Sequence, residues 1–309
     1  MRLDRWGKIG SKFSHLTSVH PCYNEQAHFK VARMHLPVAP RCNIQCNYCT
    51  RAINKCEHRP GVTGYIVTAS EALNRLEKAV KEMPNLRVVG IAGPGEPLAN
   101  SQTFETLKLV NERFPKLIKC TATNGLLLPQ KAEQLRSLNL RTVTVTVNAV
   151  EPKVGSKIYS WVRYDGKVYR GEEAAKILID NQFRGIEAAY KHGLIVKINT
   201  VLISQINSEQ IREIAKMAVD RGAVLMNIMP LIPLYKFKDL TSPSCEDLKA
   251  ARRSVEDIIP QWSLCRQCRA DAVGIPASEP FTSLNQGLVA RAVIQKYTNT
   301  KQNINRVTS

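Results

Sequence analysis

A chain of 309 residues can form one large domain or two small ones, and its composition, 44% hydrophobic and 23% charged, is that of an ordinary globular protein. No run of about 18 apolar residues occurs, which argues against a membrane-spanning helix, and the basic N-terminus MRLDRWGKIGSKFSH lacks the apolar core of a secretory signal. The net charge of +18 comes from cations spread along the chain, and aromatic residues are only 6%. The interleaved aromatic and basic pattern of an RNA-binding surface is missing, so neither nucleic acid nor membrane is an expected partner. Nine cysteines, three of them within eight residues, suit a reducing compartment, with the cytoplasm as the expected location.

Residues 1–33 read as a polar N-terminal extension. Its segment from His20 to His35 carries Cys22 together with His20, His28 and His35, half of the six histidines in the chain. A lone His or Cys is usually structural or solvated. Four soft or borderline ligands just ahead of a cysteine-rich loop instead raise the prospect of a second metal site.

Residues 34–39 form a short apolar run, read as the first strand. It leads into RCNIQCNYCTR, residues 41–51, the stretch around which the chain is organised. Cys42, Cys46 and Cys49 are spaced C-x3-C-x2-C, with Tyr48 ahead of the last cysteine. A zinc site normally shows paired C-x2-C units or one such unit with a matching His pair. Three thiolates on one loop reach three irons of one cubane, and since a full [4Fe-4S] site takes four protein thiolates, one iron is left open. Cys56 and Glu57 follow, ahead of a turn at Arg59-Pro60-Gly61.

Thr68 and Glu71 have the form of a capping box, and apolar residues from Ala72 to Met83 recur at helical spacing, which predicts a helix over 69–83. Strand and helix then alternate. Strands are expected at 88–92, 117–123, 142–147, 195–203 and 224–229, and helices at 102–113, 131–137, 172–191 and 208–221. The polar stretch 151–170 reads as an excursion over a barrel mouth. Short connections predict a parallel sheet with right-handed crossovers. Six strand–helix units give an α/β fold, an incomplete (β/α)6 TIM-type barrel over 34–235, with ligands bound at the C-terminal ends of its strands.

Further candidates lie at those ends. In Gly93-Pro94-Gly95-Glu96-Pro97 the glycines permit close backbone approach, and the prolines stiffen the turn and leave carbonyls available. Asn124, Asn148 and Asn199 occupy comparable positions, where turn or cap roles are commoner than ligand contacts. Met229 is expected in strand core. Beyond Pro230 a proline-rich linker leads to a helix near 246–258, within a C-terminal extension over 236–309. There Cys265-x2-Cys268 suits redox, zinc or iron–sulfur chemistry, although a thioredoxin-like pair needs a βαβ context that this position lacks. The last thirty residues are expected to be polar or mildly helical, with a disordered end.

The cysteine triad, with its aromatic residue, resembles the signature of radical S-adenosylmethionine (SAM) enzymes, and Gly93–Pro97 resembles their "GGEP" element, with Pro94 where Gly is usual. In that superfamily SAM chelates the open iron, so Gly93, Pro94, Gly95, Glu96, Asn124, Asn148 and Asn199 become candidate SAM-binding residues. His20-Pro21-Cys22-Tyr23, Ala32-Arg33-Met34-His35, the triad, Arg59-Pro60-Gly61-Val62 and the stretch Cys268–Gly274 together resemble one family closely, the NifB maturases of nitrogenase cofactor assembly. The resemblance runs from about residue 11 to about residue 280. It departs from the family pattern at residues 50–58, which bears on Cys56 and Glu57, and looks like the short, stand-alone archaeal-type form.

That resemblance implies a radical SAM enzyme that fuses two [4Fe-4S] precursor clusters, with an added sulfide and a SAM-derived carbide, into an eight-iron core. Three clusters are implied: one on Cys42, Cys46 and Cys49, one on Cys22, His35 and Cys120, and one on Cys56, Cys265 and Cys268. His20 and His28 rival His35, Cys245 is a spare thiol, and Glu57 is a candidate proton acceptor, although a solvated surface role is commoner for such a carboxylate. Implied partners are cluster donors and a carrier or scaffold that takes the product, with a monomer as the expected form. The competing readings are another radical SAM enzyme with auxiliary clusters, of the peptide-maturing type, and an iron–sulfur carrier that never cleaves SAM.

Overall fold

The computed structural model describes residues 14–278. Six parallel strands form the body of the fold: β1 (Ala32–His35), β2 (Leu86–Ile91), β3 (Ile118–Thr123), β4 (Leu140–Thr146), β5 (Ile195–Leu202) and β6 (Ala223–Pro230). A seventh, β7 (Val273–Gly274), pairs antiparallel with β1, so the sheet order is β6-β5-β4-β3-β2-β1-β7. Most positions of β5 and β6 are buried, as expected where helices cover one face of a parallel sheet and side chains fill the barrel on the other. Helices α1 (Ala69–Glu82), α2 (Ser101–Arg113), α3 (Leu128–Ser137), α4 (Gly171–Lys191) and α5 (Ile211–Val219) are the crossovers. This is the expected α/β partial barrel.

The local signals act as expected in α1. Thr68 accepts from the Glu71 amide, Glu71 reciprocates, and Ala69, Ala72, Leu76 and Ala79 are buried. The first strand corrects the sequence reading. It spans Ala32–His35 rather than 34–39, because Pro37 and Pro40 lack the N–H that a continuing ladder needs. The stretch 151–170 carries more structure than foreseen. A short helix (Pro152–Ile158) leads into a hairpin of Tyr159–Tyr164 and Lys167–Tyr169 that turns on Asp165-Gly166, at φ 47° and 77°. Its first strand pairs antiparallel with Ile44–Cys46, inside the cysteine loop.

An incomplete barrel leaves a seam between its first and last strands. Here residues 260–274 bridge it. At one side the Met226 amide donates to the Pro260 carbonyl and the Trp262 amide to Met226. At the other, Met34 and Arg33 pair with Val273 and Gly274, and the His35 amide donates to Ala272. Cys265 and Cys268 lie on this strap between the two anchor points. The N-terminal segment closes the bottom, where Tyr23 and Trp262 pack with Ile195 and Leu225 near the starts of β5 and β6. The helix α6 (Cys245–Arg253) starts at Cys245 behind a Ser244 cap. Expectations for the first thirteen residues and for the last thirty lie outside the described residues. No helix among those described is long and apolar enough to cross a membrane.

Candidate active site

One cavity of about 330 Å³ opens into the barrel, and seven of the nine cysteines line it. Cys42, Cys46 and Cys49 stand at its rim, on the loop after β1. The loop is held by its neighbours: Gln45 donates to the Cys46 and Cys49 carbonyls at 2.9 and 2.8 Å, and Cys46 pairs with Tyr159 of the hairpin. Burial pushes Cys42 up to about 11, with the Glu96 carboxylate adding to it, and raises Cys46 and Cys49 as well. These thiols are therefore protonated near neutral pH, and loading metal on them releases protons.

The Gly93–Pro97 element is zipped to the start of that loop. The Gly95 amide donates to Ala39 at 2.7 Å and the Glu96 amide to Arg41 at 2.8 Å. A Cβ on Gly95 would collide with the Arg41 carbonyl, so only glycine allows this approach. Pro94, Gly95 and Glu96 line the cavity and Gly93 does not. The buried Glu96 carboxylate accepts from Leu98 N, Thr123 Oγ1 and Asn124 N at 3.0, 2.5 and 2.7 Å. Asn124 in turn donates to Asn43 in the cysteine loop at 2.7 Å. Asn124 and Asn199 face the cavity. Asn148 stands behind the wall, fully buried, donating to the Tyr48 hydroxyl at 2.9 Å and accepting from Val201 N. It positions Tyr48. Met229, expected in strand core, reaches the cavity wall, 3.7 Å from Cys265 Sγ.

Deeper in the barrel, sheet register assembles a second set. His35, Gly90 and Cys120 are consecutive partners across β1, β2 and β3. A Cβ on Gly90 would lie 2.8 Å from Cys120 Sγ and 3.2 Å from His35 Cδ2. The missing side chain therefore leaves these two groups facing one space. Cys22 completes the set from the N-terminal segment, close enough to Cys120 that its charge raises the Cys120 thiol, beside the Tyr23 hydroxyl. Burial pushes Cys120 up to about 12.

Tautomer and position together separate the three histidines. His35 Nδ1 lies 3.0 Å from the Arg269 carbonyl and must donate to it, which leaves the Nε2 lone pair toward the cavity. Burial holds His35 down at about 4, so its ring is neutral. His20 Nδ1 instead accepts from the Cys22 amide at 3.1 Å, which occupies its lone pair and puts the proton on Nε2, facing Thr142. His28 Nδ1 donates to Pro21, and the ring packs edge-on against Trp262, off the cavity wall. Of the three, His35 is arranged as a ligand.

The strap supplies Cys265 and Cys268. Arg33, only 1% exposed, donates to Cys268 Sγ at 3.1 Å and to Gly274 at 2.8 Å. Sequence reasoning passed over this buried cation. Cys56 is exposed and off the cavity wall. Glu57 is also off it, its side chain 44% exposed and bound by Arg59 and Asn54 at 2.6 Å each. Arg59 first and Asn54 second lower its pKa. Arg269 ties the loop to the strap through the Asn54 and Glu57 carbonyls. Cys245 begins α6, away from the cavity.

Among the described residues, no three His, Cys, Asp or Glu groups converge closely enough to hold a single metal ion. A cubane needs the opposite arrangement, with each thiolate on its own iron and therefore well apart. In number and type the three rim thiols are the donor set that a [4Fe-4S] cluster with one open iron takes, and the neighbouring backbone edge at Pro94 and Gly95 suits an amine-bearing ligand beside it. Residues 36–218 match the radical SAM superfamily model. Solved structures agree on the fold. Streptococcus suis SuiB superposes with a TM-score of 0.54 at 16% identity, covering 83% of this chain and 55% of that one. A radical SAM methyltransferase from Sphaerobacter thermophilus gives 0.52 at 17%, covering 75% and 64%.

The fold and rim thus define a radical SAM protein, a class that carries a [4Fe-4S] cluster and uses SAM. Relatives narrow this further. The FeMo cofactor biosynthesis protein NifB of Methanocaldococcus infernus is 55% identical over 267 residues, 86% of this chain and 88% of the relative. Its counterpart in Klebsiella pneumoniae is 41% identical over 278 residues, 86% of this chain and 59% of that longer protein. The chain belongs to the NifB family.

Proposed function

We propose that this chain works in FeMo cofactor biosynthesis by joining two [4Fe-4S] substrate clusters, one added sulfide and a carbon from a SAM methyl group. The product is an eight-iron carbide-containing core. The observation that carries this reading is the convergence of three separate cysteine sets, from the N-terminal segment and barrel, the rim loop and the strap, on one cavity. The names of the curated relatives support it.

A [4Fe-4S] cluster bound at the rim would supply the electron for reductive cleavage of SAM to methionine and a 5′-deoxyadenosyl radical. Cys42, Cys46 and Cys49 hold that cluster, the edge at Pro94 and Gly95 receives the SAM amino group, and Asn124 and Asn199 offer amides to the rest of SAM. Cys22, His35 and Cys120 hold one substrate cluster. Imidazole binds iron less firmly than thiolate, which suits a substrate that must leave. Cys265 and Cys268 hold the other, with Cys56 as third ligand once the 52–64 loop turns its thiol inward. The same turn brings Glu57 toward the cavity as a proton acceptor. Residues 1–33 and 236–309 thus serve as ligand-bearing extensions of a barrel over 34–235. The enzyme acts as a cytoplasmic monomer, served by cluster donors and relieved of its product by a carrier protein.

The test is reconstitution with ferrous iron and sulfide, followed by dithionite and methyl-labelled SAM. The expected result is 5′-deoxyadenosine together with label in an iron–sulfur product. A protein that makes no 5′-deoxyadenosine is a carrier, and one that leaves all label outside the iron–sulfur fraction is a different radical SAM enzyme. Iron counts of Cys22→Ala, Cys49→Ala and Cys268→Ala should each fall by one cluster.

A further inference from the structure

The cavity wall has an electrostatic bias. Its cations are Arg51, Arg59 and Lys197, and Glu96 is the sole carboxylate on it among the described residues. Arg59 is occupied by Glu57 and Thr50, and Arg51 by Gln45. Lys197 differs from the exposed Arg51 in being buried and from Arg59 in having no carboxylate partner. It sits on β5 in the apolar run IVKINTV, is 5% exposed, and forms no ion pair among the described residues. Its ammonium reaches one acceptor, the Cys22 carbonyl at a long 3.4 Å, and lies 5.2 Å from the centre of the Tyr23 ring.

A buried ammonium without a counter-charge carries a desolvation penalty. A long contact to one carbonyl and a π-face offset only part of it. Lys197 lies beside the very segment that brings Cys22 to Cys120, and its charge acts on both Cys120 and His20. Whatever occupies the space between Cys22, His35 and Cys120 therefore meets a positive charge that the protein leaves unbalanced.

We propose that Lys197 is the anion-anchoring residue of the deep site, selecting a substrate cluster with net negative charge. This rests on the reading that Cys22, His35 and Cys120 hold a substrate cluster. The charge count is simple. An oxidised cubane core carries two positive charges, which the two thiolates cancel, and the neutral imidazole adds none. A core reduced by one electron, or one with an anionic ligand such as hydrosulfide on its open iron, is left negative by one charge. Lys197 balances that charge. The site thereby holds the reduced or anion-capped cluster in preference to the neutral one, since cluster potentials follow net charge and nearby hydrogen bonds. No proton or electron moves through Lys197. It is a positioning residue.

The test uses the full chain with Cys42, Cys46 and Cys49 all changed to Ala, which removes the rim cluster, reconstituted with ferrous iron and sulfide. Lys197→Gln keeps a donor for the Cys22 carbonyl but removes the charge, and Lys197→Arg keeps the charge. The readouts are bound iron per chain, the midpoint potential of the bound clusters and the melting temperature before reconstitution. Lys197→Gln is expected to lose half or more of the iron that Cys22→Ala removes, with the remainder at a more negative potential. Lys197→Arg is expected to keep both near those of the parent chain. Parent-like iron and potential in Lys197→Gln overturn the proposal, as does equal loss in Gln and Arg variants that both fold. If Lys197→Gln does not fold, Lys197→Arg against the parent decides, retention supporting the charge and loss overturning it. A Cys22→Ala variant with undiminished iron would instead mean that no cluster sits in the deep site, which sinks the functional reading.

Discussion

His35, Gly90 and Cys120 stand in one row of a parallel sheet, whereas Cys56 and Glu57 sit on a loop with the thiol in solvent and the carboxylate held by Arg59. His35 and Cys120 were expected to help hold one substrate cluster and Cys56 the other, with Glu57 as a proton acceptor, whereas Gly90 was not singled out. The difference is one of mounting. A sheet row is set by backbone ladders whose register cannot slip without turning every side chain to the opposite face. A loop ligand is set by a handful of side-chain hydrogen bonds and can be displaced at little cost. On the proposed assignment, the sheet row of the deep site is preorganised, and the Cys56 side of the strap site has to be completed by movement.

The largest effect is expected on the rigid side, at the rim. Gly95→Ala drives a Cβ into the Arg41 backbone, so the cysteine loop has to shift. Production of 5′-deoxyadenosine should fall to background and one cluster's iron should be lost. Parent-like cleavage by this variant would break the comparison. Next comes Gly90→Ala, where the added methyl, 2.8 Å from Cys120 Sγ, overpacks the deep row by about 1–3 kcal/mol. Iron in the deep site should fall while SAM cleavage persists, read by iron analysis and product chromatography side by side. On the loop side, Cys56→Ser should remove less iron than Cys268→Ser. Equal losses would mean that the 52–64 loop is already closed in solution.

The smallest expected effect is a pH dependence. Burial pushes Glu96 up to about 7, against three hydrogen bonds that favour its ionised form. Its folded value lies above the ordinary 4.5, so between those values the folded chain keeps a proton that the unfolded chain has released. The stability it contributes is complete below 4.5 and is lost as pH rises through about 7. Melting temperatures of the metal-free chain should decline across that window, and Glu96→Gln should remove that part of the decline.

The barrel and the rim loop were legible because their signals are local and dense: a cysteine triad, a capping box, apolar runs at the right spacing. Of the deep site, the Cys22 and histidine cluster was legible from residue chemistry, whereas Cys120 and the choice of His35 came only through family resemblance, although one further physical signal was present. Gly90 interrupts the β-branched run VVGI, and a glycine inside a strand marks a close approach. Arg33 and Lys197 were passed over because isolated cations usually lie on solvated faces, whereas each here stands in an apolar segment and is buried. The strand pairing of Ile44–Cys46 with the hairpin and the two-residue β7 were out of reach. Their pairing is decided by partners more than a hundred residues away, which no local window contains. The first strand was drawn too late because its apolar run continues past Pro37, where the ladder cannot.

The strap across the seam imposes a timetable on synthesis. Met34 meets Val273 only after residue 273 has left the ribosome. Until then the nascent barrel carries two bare edges, at β1 and β6, each able to template pairing with another copy. On the proposed assignment, cluster loading has to follow the emergence of residues 260–274, since the last thiols of the cavity arrive with the same segment that seals its wall.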